Sequence, residues 1–217
     1  NVRNGVETVR KTTQKITVIV IIAILSIALI GSSFVAIFLP QEKPMEDQSE
    51  QALLNEYNQR KQVVALLTEK LAENPEDVQT QINLGDAYYA KASVSSRLNG
   101  EEYKEDLTNA IAIYQKVLQK KDDNSVRFRL GQAAFFNGDG DLANETFEDL
   151  LEKDPDNPET LYWHGMCQLY LKDDHREALV SWRKALPLTE DEVLKQELEQ
   201  MIGLAEGMDL DSGQKEN

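Results

Sequence analysis

The stretch NSVRFRLGQAAFFNGDGDLANETFEDLLEKDPDN, residues 124–157, decides the fold. Apolar residues recur in it at helical spacing on both sides of the Asn137-Gly138-Asp139-Gly140 turn, and Asp154-Pro155 closes the second run. The pattern has a steric reason. Gly131 and the small residues around it, such as Ala134, let a second helix come close. Ala143 then sits where the helices cross, and Phe147 fills the gap beside it. Leu130-Gly131 has counterparts in Leu84-Gly85 and His164-Gly165, with the longer interval between the first two glycines and the shorter between the last two.

The interval from Gly131 to Gly165 is the period of about 34 residues at which paired helices repeat in one family of helical arrays. With Leu130, Gly131, Ala134, Ala143, Phe147 and Pro155 at the matching offsets, the segment resembles the tetratricopeptide repeat family. The following unit continues the resemblance with Gly165, Ala178, Trp182 and Ala185. Its interval from Gly165 to Ala178 is longer by one than that from Gly131 to Ala143, which places one extra residue in the Lys172–His175 turn. The preceding unit matches at Leu84, Gly85, Tyr88, Tyr89, Ala110 and Tyr114, but its interval from Gly85 to Ala110 is far longer than either. That excess predicts a first helix running to about Ser96, a turn at Asn99-Gly100, a second helix from about Glu102, and a protruding tip open to contacts.

Outside the three units, Glu50–Glu73 reads as a lone amphipathic helix with Leu53, Leu54, Tyr57, Val63, Val64, Leu67 and Leu71, closed by Asn74-Pro75. After them, Thr189-x-x-Glu192 resembles a capping box that opens a helix with Val193, Leu194, Leu198, Met201, Ile202 and Ala205, halted by Gly207. These two helices are expected to cover the apolar ends of the stack. The fold class is therefore all-α, a short α-solenoid of helical hairpins over residues 51–206 with capping helices and a disordered polar tail at 207–217.

The N-terminal portion follows different physics. From Ile16 to Leu39 no residue is charged, and the run ends at Pro40. At ~1.5 Å per residue it reaches ~36 Å, enough to cross a bilayer core of ~30 Å as a transmembrane helix. The run exceeds the ~7–15 apolar residues of a cleaved signal peptide, and apolar residues follow Gly31, Ser32 and Ser33, so an uncleaved anchor is expected. Residues 1–15 carry Arg3, Arg10, Lys11 and Lys15 against Glu7, and a linker at 40–50 opens with acidic residues. This asymmetry predicts a single pass through the cytoplasmic (inner) membrane, with the basic tail in the cytoplasm and the helical domain extracytoplasmic. Of 23 basic and 38 acidic residues, 19 and 37 remain beyond the tail, a net −18 that repels nucleic acid.

No phosphate loop, nucleophile elbow or zinc-helix motif occurs. Cys167 is the only cysteine and reads as packing, as does His164 in the leucine position of its unit; His175 reads as a solvated turn residue. Asn137, Asp139, Asp141 and Glu148 alternate like a calcium loop, but Leu142 stands where the sharp-turn glycine is needed. No cofactor, metal, small-molecule substrate or catalysis is expected.

What the tetratricopeptide resemblance implies is a groove lined by the first helix of each pair. Carried onto this chain, the groove positions are Ile82, Asp86 and Tyr89, then Phe128, Arg129, Gln132, Phe135 and Phe136, then Tyr162, Met166, Leu169 and Tyr170. The implied function is a membrane-anchored scaffold or assembly factor that binds a protein client there. Anchored proteins of this kind are also similar to accessory factors of c-type cytochrome maturation and photosystem assembly, and a structural subunit of a larger membrane complex is a third reading.

Overall fold

The computed structural model describes residues 47–98 and 100–213. Among them every regular element is helical: α1 (Asp47–Glu73), α2 (Val78–Ser95), α3 (Gly100–Leu118), α4 (Asn124–Asn137), α5 (Gly140–Lys153), α6 (Pro158–Cys167), α7 (His175–Ala185) and α8 (Glu192–Gly213). The expected span at 16–39, the basic tail and most of the linker lie outside the described residues. Among the described residues no helix is long and apolar enough to cross a membrane. The chain divides into two compact units, up to Ile113 and from Tyr114 onward, with the boundary inside α3.

In the first unit α2 and α3 match the long hairpin read from the sequence, with Ser95 and Gly100 close to the expected ends. Asp77 starts α2 by accepting the backbone N–H of Gln79 and Thr80, a cap that contributes about 1 kcal/mol. α1 packs along α2 through buried Leu53 and half-buried Val64, Leu67 and Leu71, and leaves Leu54, Val63 and Leu66 exposed. A polar chain ties the three helices together. Tyr57 on α1 donates to Glu102 on α3 (2.6 Å), and Lys91 on α2 donates to Glu102 (2.8 Å) and to both oxygens of Asp106 (2.8 and 3.0 Å). Ser95 completes the shell of Asp106 (3.1 Å), whose side chain is only 2% exposed.

In the second unit α4 to α8 stack in sequence order, each against the next. Asp123 caps α4 and Asn157 caps α6, and in both helices the repeat glycine stands at the same distance from the cap as Gly85 does from Asp77. A Cβ added to Gly131 would lie 2.7 Å from the tip of the Phe147 ring. One added to Gly165 would lie 2.3 Å from Nε1 of Trp182. Each glycine is thus a seat for an aromatic ring of the paired helix, and Trp182 and Phe147 are fully buried.

Three local expectations are corrected. The extra residue of the last repeat lies inside the helix, not in the Lys172–His175 turn: α6 ends in a π-helical turn, Gln168–Lys172, whose widened loop absorbs one residue. The interval from Gly165 to left-handed Asp173 is accordingly longer by one than that from Gly131 to left-handed Gly138. Everything beyond that point regains the register of the preceding pair, with Asp174 capping α7 as Asp139 caps α5.

The cap of α8 is Asp191 and not Thr189. Its carboxylate accepts from Val193 N (2.8 Å) and Leu194 N (3.3 Å), while the Thr189 hydroxyl accepts from Asp191 N (3.2 Å). Nor does Gly207 halt α8, which continues to Gly213. A glycine ends a helix by turning left-handed. Gly207 does not, since Gly138 is the only positive-φ glycine among the described residues. Counting from Asp191, the place of the repeat glycine on α8 is filled by exposed Glu199.

Candidate functional site

The groove residues fall into two groups by burial. In the first unit Ile82 is buried, while Asp86 and Tyr89 are half-buried. In the second unit Phe128, Arg129 and Gln132 are half-buried, whereas Phe135, Phe136, Tyr162, Met166, Leu169 and Tyr170 are buried. Trp163 explains much of this division. Its ring makes edge contacts with Phe135 (5.5 Å between centroids), Phe136 (5.6 Å) and Tyr162 (5.8 Å), and stacks on Phe147 (6.2 Å, 14° between planes). Phe128 also meets Phe147 edge-on, at 5.8 Å. The aromatic residues of α4 and α6 therefore build a rigid floor, and the accessible part on α4 is Phe128, Arg129 and Gln132.

Sequence reasoning passed over Trp163, because an aromatic in a first helix reads equally well as groove lining or as core. It also passed over α8 as a contributor. The register of α8 from Asp191 is that of α4 from Asp123 and of α6 from Asn157, so Gln196 and Gln200 stand where α4 has Phe128 and Gln132. Gln196, Gln200 and Leu204 are all exposed. Between them, half-buried Glu197 lies near the buried Tyr162 hydroxyl. Its Oε2 atom is buried and has no hydrogen-bond partner. Burial pushes the Glu197 carboxyl above the usual carboxylate range, against the Tyr162 hydrogen bond, and the Asp191 charge adds to the rise. The Tyr170 hydroxyl is pushed up to about 12 by burial and points its proton at the Met201 sulfur, 3.8 Å away.

Behind this floor lies a second polar cluster. His164 Nδ1 is 2.8 Å from Ser181 Oγ, and His164 Nε2 is 3.1 Å from the Gln168 amide nitrogen, which also donates to Asn144 Oδ1 at 2.7 Å. An amide nitrogen only donates, so Nε2 is the acceptor and Nδ1 carries the proton toward Ser181. Protonating Nε2 would set two donors against each other. Burial accordingly holds His164 below the ordinary 6.5 of histidine, with Glu148 and Glu177 pulling the other way.

The sign follows from linkage: the unfolded chain takes up this proton first, so the stability contributed by neutral His164 is complete above pH 6.5 and is lost as pH falls below it. Urea denaturation at pH 7.5 and 5.5 checks this. The midpoint of the natural chain is expected to drop further on acidification than that of His164→Gln, and equal drops would contradict the assignment.

Cys167 lies beside this cluster, fully buried, and burial pushes its thiol far above the ordinary range, so it has the environment of a packing residue. Asp139 caps α5 by accepting from Leu142 N, and Asp141 pairs with Lys172.

Comparison with known proteins adds three findings. The tetratricopeptide repeat family model matches residues 125–157. Among curated proteins no sequence relative matches. Among solved structures, the chain is similar to one described as the crystal structure of MamA, with a TM-score of 0.50 and 13% identity over 80% of this chain and 99% of that one. It is similar also to one described as the MamA RS-1 ArsTM double mutant, with a TM-score of 0.52 and 17% identity over 80% and 100%. At these identities the likeness shows the fold.

Proposed function

Since the chain carries a tetratricopeptide repeat at residues 125–157 and repeats its glycine-and-aromatic nesting in α6 and α7, we propose that it is a membrane-anchored scaffold. It holds a protein client on the face presented by α4 and α6. One observation carries this best. On α4 the residues Phe128, Arg129 and Gln132 stay accessible, while Phe135 and Phe136 further along the helix are locked into the aromatic floor. A mixed aromatic, cationic and amide surface on rigid support suits recognition of a helix or an extended segment, because little entropy is lost on binding. The apolar run at 16–39 supports the anchor, and the basic residues before it support an extracytoplasmic domain. Tethering in the plane of the membrane raises the effective concentration toward membrane or secreted clients.

The test uses the full chain extracted in detergent. Arg129→Glu combined with Gln132→Arg changes the surface without touching the aromatic floor, and it is expected to reduce recovery of co-purifying proteins about tenfold. Equal recovery by the variant and the natural chain would refute the groove. Deleting residues 16–39 is expected to release the protein from alkali-washed membranes, and retention there would refute the anchor.

A further inference from the structure

α1 presents two sides of different chemistry. Toward α2 and α3 it turns Leu53, Tyr57, Val64, Leu67 and Leu71, which are buried or half-buried there. On the other side Ala52, Asn55, Gln59, Gln62 and Leu66 are all exposed, and they follow one another at alternating intervals of three and four residues. That spacing keeps them in one stripe along the helix, as in the seam of a coiled coil. The stripe holds no charge, although 28% of the chain is charged. Charged residues flank it instead, where Arg60 pairs with Glu56 at 3.3 Å, and the first charge to enter it is Glu69, one step beyond Leu66. Leu66, an apolar side chain 64% exposed, closes the stripe with exposed Val63 beside it.

We infer that this stripe is the contact between two copies of the chain, α1 against α1, parallel and in register. Its chemistry is self-complementary. A side-chain amide both donates and accepts, so Asn55, Gln59 and Gln62 are each satisfied by the same residue of the sister helix, while Leu66 meets Leu66. An antiparallel sister in the same seam would set Leu66 against an amide, and a charged client segment would gain nothing from a stripe without charge. The length of chain ahead of α1 selects the same sense. The helix begins at Asp47 and the uncharged run ends at Leu39, so only residues 40–46 separate the two. Two anchored copies therefore send α1 away from the membrane in one direction, and the parallel sense rests on the anchor proposed above. Amide layers set register at a cost in strength, which confinement to the membrane offsets by raising the effective concentration of the sister helix. Because a parallel pair is two-fold symmetric, each copy uses up its own stripe and the assembly closes at two.

Single cysteines are introduced into the full chain and oxidised with copper phenanthroline in unfractionated cell lysate, membranes included; natural Cys167 is buried and stays out of the reaction. Ala52→Cys, Gln59→Cys and Leu66→Cys are each expected to give a disulfide-linked dimer, and Lys61→Cys, outside the stripe, about tenfold less of it, because the bond forms only between closely apposed backbones. Gln59→Glu with Gln62→Glu sets like charges against each other in two successive layers and is expected to cut the Leu66→Cys dimer about tenfold. Circular dichroism of that variant establishes that the helices are intact, as substitution at exposed positions allows. Cross-linking at Gln59→Cys alone, equal cross-linking at Lys61→Cys, no dimer at any stripe position, or a dimer that survives the two glutamates would overturn the pairing. If alkali washing refutes the anchor while Ala52→Cys and Leu66→Cys still cross-link, the pair stands without it; if the anchor holds and they do not, the pair alone falls.

Discussion

Truncating Trp182 to alanine is expected to lower the unfolding free energy by about 4 kcal/mol, the range for removing a large buried aromatic. The side chain is 0% exposed. It fills the seat made by Gly165, and its ring nitrogen donates to the Tyr162 carbonyl at 2.9 Å, so the loss combines a cavity with a broken bond. A coupled variant separates this cause from general damage. In the natural chain Gly165→Ala drives a Cβ to within 2.3 Å of the indole, and overpacking of that kind costs about 1–3 kcal/mol. In the Trp182→Ala background the same change meets empty space and gains up to ~1 kcal/mol of helix propensity instead. Thermal and urea denaturation of the four proteins measures this cycle, and an unchanged sign of the Gly165→Ala effect would show that the two residues are not in contact.

Asp106→Ala is the second large effect, expected to cost about 3 kcal/mol, because Lys91 loses the more deeply buried of its two carboxylate partners and keeps only Glu102. Burial alone would disfavour the Lys91 ammonium, yet its hydrogen bonds to Asp106 and Glu102 outweigh that and raise its pKa. Asp106 is pushed up by burial despite the bonds from Lys91 and Ser95, so this pair sits close to the balance between solvation loss and attraction. Replacing both partners by apolar residues of similar size, Lys91→Met with Asp106→Leu, should therefore restore most of the lost stability. If the double variant is as unstable as Asp106→Ala in chemical denaturation, the deficit arises from packing and not from the lysine's lost partner.

The helices, their pairing and the ring-on-glycine contacts were legible because they rest on short-range steric rules: a missing Cβ, a large ring on the helix that follows, a proline at the end. The position of the inserted residue was not. Spacing shows that the interval from Gly165 to Ala178 is longer by one, but only backbone geometry distinguishes a widened turn of helix from a longer loop. Thr189 was read as the cap of α8, but Asp191 takes that place because its carboxylate is the stronger acceptor. Burial of the groove aromatics depended on Trp163, whose partners come from α4 and α5. Lys91 and Asp106 carry no signal of their own in the sequence and meet only because the hairpin brings them together. Glu197 was hidden for the same reason, since the hydroxyl it meets belongs to a different helix.

Glu199 on α8 has a consequence for assembly. A repeat array lengthens when its terminal helix offers a smooth bed to the next one, and here that bed carries an exposed acidic side chain in the place where Gly131 and Gly165 receive their rings. Any foreign helix settling there, including one from a sister molecule, would have to bury that polar side chain without a partner, which is unfavourable. The molecule thus carries its own brake against end-to-end fibre growth.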